Sequence, residues 1–157
     1  MELLNTLTVQ RAHVLGTIDG LADEDLRRPV LPSGWTVLGL VNHLALDDEM
    51  FWFRAVMAGQ QDAIAGLSPA AWQVGPDVPA ASVIDRYRRE AELADDIIRQ
   101  APLDASPAWW PADQFGEWRL HTNEQVLLHV ITETAVHAGH LDAVRELIDG
   151  KQWIVLG

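Results

Sequence analysis

Apolar and polar residues recur along this chain at helical spacing in four long stretches, each closed by proline- or glycine-rich connections. The first predicts a helix over about 3–21, with Leu4, Leu7, Val14, Leu15 and Ile18 spaced for one buried face. "DEDLRRPVLPSGW" interrupts it, leaving room for a turn of helix around Glu24–Leu26. The second starts behind Thr36 as N-cap, with Trp35 and Leu40 placed for a hydrophobic staple, and runs to Gly59. A third is expected over about 82–100, its wet face rich in charge pairs such as Asp85–Arg89. The fourth begins at Thr122, where Gln125 completes a capping box, and ends at Gly150 as a left-handed cap.

Long loops follow the second and third helices. "GLSPAAWQVGPDVPA" carries the first connection and the aromatic "APLDASPAWWPADQFGEWRLH" the second. The tail "KQWIVLG" could add a short extended piece. With no convincing strand, no repeat and no linker, the pattern predicts an all-α fold: a four-helix bundle forming a single domain over 1–157.

The fourth helix breaks the simple division into a core face and a wet face. On a wheel advancing about 100° per residue, His129, His137 and His140 fall within about 40° of Glu133. Val126, Val130, Leu141, Val144, Leu147 and Ile148 share that sector, so these ionisable residues read as embedded in the core stripe. Burying such groups costs several kcal/mol unless they are paired, hydrogen-bonded or metal-bound. Glu133 and His137, four apart, project from adjacent turns and can offer one oxygen and one nitrogen to a single ion. The second helix can supply a third donor, because His43 lies between Leu40 and Leu44 at the edge of an apolar face.

A His, Glu, His set leaves the fourth position open, as catalytic zinc sites do. Asp47, Asp48 and Glu49 are candidate acceptors behind it. His129 and His140 read as supporting residues that orient a ligand or move a proton, or as structural histidines. The plain alternative for the whole set is a buried polar network without metal. His13 and His121 look like surface residues. HExxH is absent, and Glu-x-x-x-His occurs once, unlike the paired Glu-x-x-His of di-iron bundles; one mononuclear site is the better fit.

Composition narrows the chemistry. Hydrophobic residues make up 48% of the chain, which suits a folded core. The formal charge of −12 repels a phosphate backbone, so nucleic acid is not an expected partner. No apolar run approaches the roughly 20 residues that span a bilayer, so no membrane association is expected. The first residues lack a signal peptide's basic start and small-residue cleavage site, and a cytoplasmic location is expected. The chain has no cysteine. Disulfides, thiolate metal ligands and a cysteine nucleophile are therefore excluded, and any thiol chemistry must use a thiol from outside.

"PSGWTVLGLVNHLALDDEMFWF", followed at a distance by "VLLHVITETAVHAGHLDAVRELIDG", resembles the DinB-like superfamily, in an actinobacterial-type branch, over most of the chain. The resemblance implies a four-helix bundle binding one divalent metal through a histidine of the second helix and two residues of a later one. The commonest pattern there is His-x-x-x-His, whereas this chain has Glu133 first and His137 second, with His43 on helix two. The departure is shared with mycothiol-dependent maleylpyruvate isomerase. His140 stands where relatives often carry glutamine, which suits a supporting role.

Superfamily members include S-transferases that use low-molecular-weight thiols such as mycothiol or bacillithiol. The expectation is a metal-dependent transferase in which His43, Glu133 and His137 hold the ion. Zinc is the first expectation, with nickel and iron as alternatives. The thiol, activated at the open position, would attack a small electrophile such as an epoxide, halide or activated alkene. Trp109, Trp110, Phe115 and Trp118 could roof its pocket, or close the core as a satellite cluster. The alternatives are a metal-dependent hydrolase and a non-catalytic metal-binding bundle acting through a partner in a stress response. An exposed hydrophobic helix face would let either form a homodimer.

Overall fold

The computed structural model describes residues 2–65 and 71–153 and is an all-α bundle, with no strand among the described residues. Its elements are α1 (Glu2–Ile18), α2 (Asp23–Arg27), α3 (Val37–His43) continuing directly as a π-helix (Leu44–Met57), a 3₁₀ turn (Gln61–Ile64), α4 (Ala80–Gln100), α5 (Ala112–Phe115) and α6 (Asn123–Asp149). The expected second helix is thus one rod in two windings. Its far end closes with the Ala58 amide donating to the Phe53 carbonyl, an i→i−5 bond.

Local chemistry sets the ends. Thr36 accepts from the Gly39 amide at 3.0 Å, and Thr122 accepts from the Gln125 amide at 3.2 Å. The Gln125 side chain in turn accepts from the His121 amide at 2.6 Å, so the capping box at α6 is complete in both directions. Gly150 ends α6 at φ 75°, a backbone region that glycine enters without penalty. On α4, Asp85 pairs with Arg88 rather than with Arg89, using the i,i+3 neighbour.

The core shows how the rods run. Val14 and Ile18 of α1 pack with Val37–Ala45, with Val83 and Tyr87, and with Ala138–Val144. Leu4 and Leu7 pack instead with Trp52–Met57, with Ala94 and Ile98, and with Val126–Val130. Therefore α1 and α6 run parallel to each other, while α3 with its π continuation and α4 run the opposite way. Joining two parallel rods obliges the chain to travel back about 30 Å, which explains the long 58–79 connection. Gly66–Ala70 of that connection lie outside the described residues.

The 101–122 loop has a different reason for its length. Its ends are already close, since the Asn123 amide donates to Ala105 and the Glu124 amide to Leu103. The extra chain makes an excursion over the π-helix, where the Ala108 and Trp109 amides donate to the Met57 and Val56 carbonyls. It carries α5 with it.

Between the two apolar ends lies a buried polar belt of Arg11, Asp48, Glu49, Glu90 and Thr134. Arg11 forks onto both Glu49 oxygens at 2.7 and 2.6 Å and donates to Asp95 at 2.6 Å, tying α1, the π-helix and α4 together. Glu49 is therefore committed here and does not support the histidine cluster.

Two expectations at the α1–α6 seam are corrected. His13 is buried, not a surface residue: its Nε2 donates to Asp142 at 2.8 Å and its ring stacks on Trp153 at 5.6 Å. Leu147 is 63% exposed, because α1 and the other rods cover α6 only as far round as Val144 and Ile148. His121 is exposed as expected. Of the tail read as an extended piece, residues 154–157 lie outside the described residues.

A candidate metal and substrate site at the edge of the bundle

The last residue of α3 and the middle of α6 meet where the polar belt reaches the surface. The rings of His43 and His137 lie 5.0 Å apart, nearly perpendicular. Glu133, one turn before His137, brings its carboxylate to 3.8 Å from the His137 Nε2. The structure thus brings His137 close to both His43 and Glu133. They are not embedded in the core stripe, however. Only His137 is buried, Glu133 and His129 are half-buried, and His140 is exposed. The ionisable stripe runs along the edge of the buried face of α6, so water reaches one side of it and the interior the other.

That edge position sets the protonation states. Burial, with the neighbouring imidazoles of His43 and His140, lowers His137 from the usual 6.5 to about 4. It is neutral at physiological pH and keeps a lone pair free. Burial also lowers His129, against the pull of the Glu133 carboxylate. His43 Nδ1 donates to Asp47 at 2.7 Å, which fixes its tautomer and leaves Nε2 as its uncommitted nitrogen. Asp47 is therefore the acceptor behind His43. Asp48 faces inward instead: burial pushes its carboxyl well above the usual range, with Glu49 and Glu133 adding to the effect. One oxygen of Asp48 and Nδ1 of His137 are buried without a hydrogen-bond partner.

Two imidazoles beside a carboxylate, with His137 held neutral, suit a divalent cation of the zinc, nickel or iron type. The His137 nitrogen nearest Glu133 is Nε2, so Nε2 is the atom that would share an ion with that carboxylate, while the unpartnered Nδ1 lies on the other side of the ring. Among the described residues, no three His, Asp or Glu side chains are already gathered into a ready-made metal cage.

A cleft of about 350 Å³ opens beside His43 and Glu133, lined by these two, Asp47, Asp48 and His129 together with Phe51, Trp52 and Phe115; His137 does not line it. His129 lies edge-on to Trp52 at 4.7 Å and 5.7 Å from Trp118, whereas His140 sits outside the cleft, 5.6 Å from the His137 ring. The aromatic loop has both roles that its sequence left open. Gln114 and Phe115 wall the cleft, while Trp110, Phe115 and Trp118 stack on one another and on Trp52. A larger cavity, about 570 Å³, lies between the end of the π-helix, α4 and the 101–108 segment and contains none of these ionisable groups.

One residue escapes sequence reasoning altogether. Trp72, in the 58–79 crossover, stacks on His43 at 4.2 Å and 20° and lies 5.4 Å from His137. Trp35 stands edge-on to Trp72 and 6.4 Å from His140. Nothing local in the sequence announces these contacts, because they join residues brought together only by the crossover.

Among the described residues no helix is long and apolar enough to cross a membrane. No curated protein and no solved structure matches the chain. The family model described as Mycothiol-S-transferase matches residues 2–150, a span that takes in α1 through Gly150 and every residue of the site. The chain belongs to the Mycothiol-S-transferase family, a DinB-like family.

Proposed function

We propose that this protein joins mycothiol, through its sulfur, to a small electrophile, using one divalent ion held by His43, Glu133 and His137. The observation that carries the proposal is the meeting of the His43 and His137 rings beside the Glu133 carboxylate, with His43 and Glu133 lining a cleft that Phe51, Trp52 and Phe115 also line. Family membership supports the thiol, and the absence of cysteine requires that the sulfur arrive with the cosubstrate.

Zinc, or nickel or iron in its place, would supply the Lewis acidity that holds an incoming thiol as thiolate at neutral pH. The chain does the rest. Asp47 holds the His43 tautomer that leaves Nε2 free. Burial keeps His137 neutral. His129, the other imidazole on the cleft wall, accepts the S–H proton as the thiol binds, before sulfur forms its bond to carbon. It returns that proton to the oxygen released when an epoxide C–O bond breaks, or retains it until solvent takes it when halide leaves. Phe51, Trp52 and Phe115 favour an apolar electrophile and reduce the water around the thiolate. His140, beside His137 but outside the cleft, orients its neighbour.

The assay is conjugation of mycothiol to 1-chloro-2,4-dinitrobenzene, followed by absorbance with purified, zinc-loaded protein. Turnover above the uncatalysed rate is expected, falling about 10²-fold in His129→Ala and to background in His43→Ala. A native rate equal to background, with no mycothiol binding by calorimetry, contradicts the proposal.

A further inference from the structure

Three residues on one face of α3, at i, i+3 and i+4, seat the 58–79 crossover. Gly39 gives it room: a Cβ there would stand 2.2 Å from the Trp72 carbonyl oxygen, a distance the backbone cannot tolerate. Asn42, buried in the same groove, donates from Nδ2 to the Ala71 carbonyl at 2.7 Å, and its own oxygen accepts from Arg86 of α4 at 3.0 Å. His43 then meets the Trp72 ring face to face. The crossover is thereby held through its backbone on the turn that precedes His43, and its one aromatic side chain is delivered onto that imidazole.

We propose that Trp72 is a positioning residue for His43. Asp47 holds the imidazole at its Nδ1 edge and Trp72 lies flat against its face, so both the tilt and the rotation of the ring are restrained. An imidazole pinned in this way presents Nε2 without first losing rotamer freedom, and that pre-organisation is what a ligand side chain gains from the groups behind it. Gly39 and Asn42 act through Trp72. The use of this clamp rests on the metal role given to His43 above; the clamp itself does not.

Two readouts separate the clamp from its use. In metal-free protein, the His43 ring protons should be shielded by the indole in an aromatic NMR spectrum. That shielding should vanish in Trp72→Leu and in Gly39→Ala, and persist in Trp72→Phe. Zinc affinity, measured against a chromophoric chelator, should fall at least about tenfold in Trp72→Leu and Gly39→Ala and stay near the native value in Trp72→Phe, although all three variants keep every proposed ligand. Circular dichroism melts confirm that each variant is folded. Unshielded His43 protons in the native protein overturn the proposal, as does native-like zinc affinity in folded Trp72→Leu. Native protein that shows the shielding yet binds no zinc leaves the clamp standing and overturns instead the metal role of His43.

Discussion

At the residue scale, what matters about His129, Glu133, His137 and His140 is how far round α6 they sit. A few tens of degrees separate a core position from a cleft wall. The wheel placed all four in the apolar sector, and the structure moves them to its margin, with His140 and Leu147 outside it. The same margin makes His137 an acid-sensitive point. Its native pKa, about 4, is below the ordinary 6.5. Between these values the unfolded chain binds more protons than the folded one, so stability rises with pH across that window. In metal-free protein the contribution is complete above about pH 6.5 and is lost as pH falls through about 4. Urea titrations across this range should show an acid decline that is shallower in His137→Gln than in the native protein. Parallel curves would mean that His137 is not held neutral by the fold. His13 shows the limit of sequence at this scale: its partner Asp142 is 129 positions away, and nothing near His13 distinguishes it from a surface histidine.

At the element scale, the helix ends were legible because caps are local chemistry. Thr36 and Thr122 cap as their sequences imply, and Gly150 closes α6 in the left-handed region. Thr122→Ala should cost about 1 kcal/mol of unfolding free energy, measured by urea titration, because it frees the Gln125 amide while Gln125 still holds the His121 amide. An unchanged midpoint would show that this end of α6 is held by packing alone. The winding of the second rod was not legible. Leu44–Met57 has the apolar content of an ordinary buried helix, yet it is a π-helix that turns Asp48 and Glu49, adjacent in sequence, both inward. Asp48 then lies beside the histidine cluster and Glu49 in the Arg11 fork.

At the scale of the whole molecule, the parallel pairing of α3 with α4 forces a long crossover, and that crossover brings Trp72 to His43. The second long loop, free of any need to travel, lays α5 over the π-helix and walls the cleft with Phe115. The all-α fold was readable from periodicity, and the nearness of Glu133 to His137 from their spacing. The walls of the cleft were not, because they are made by loops whose paths depend on which rods run parallel. The structure thus brings one residue of α3, two of α6 and aromatic side chains of two connections close together at one edge of the bundle. The proposed transfer requires that His43, Glu133 and His137 hold a single ion. The most direct test is metal content by mass spectrometry on protein purified without an affinity tag, beside His43→Ala, Glu133→Ala and His137→Ala. About one divalent ion per chain in the native protein, lost in each variant, is the expected result. A folded native protein that carries none, and takes up neither zinc nor nickel when offered, would contradict it.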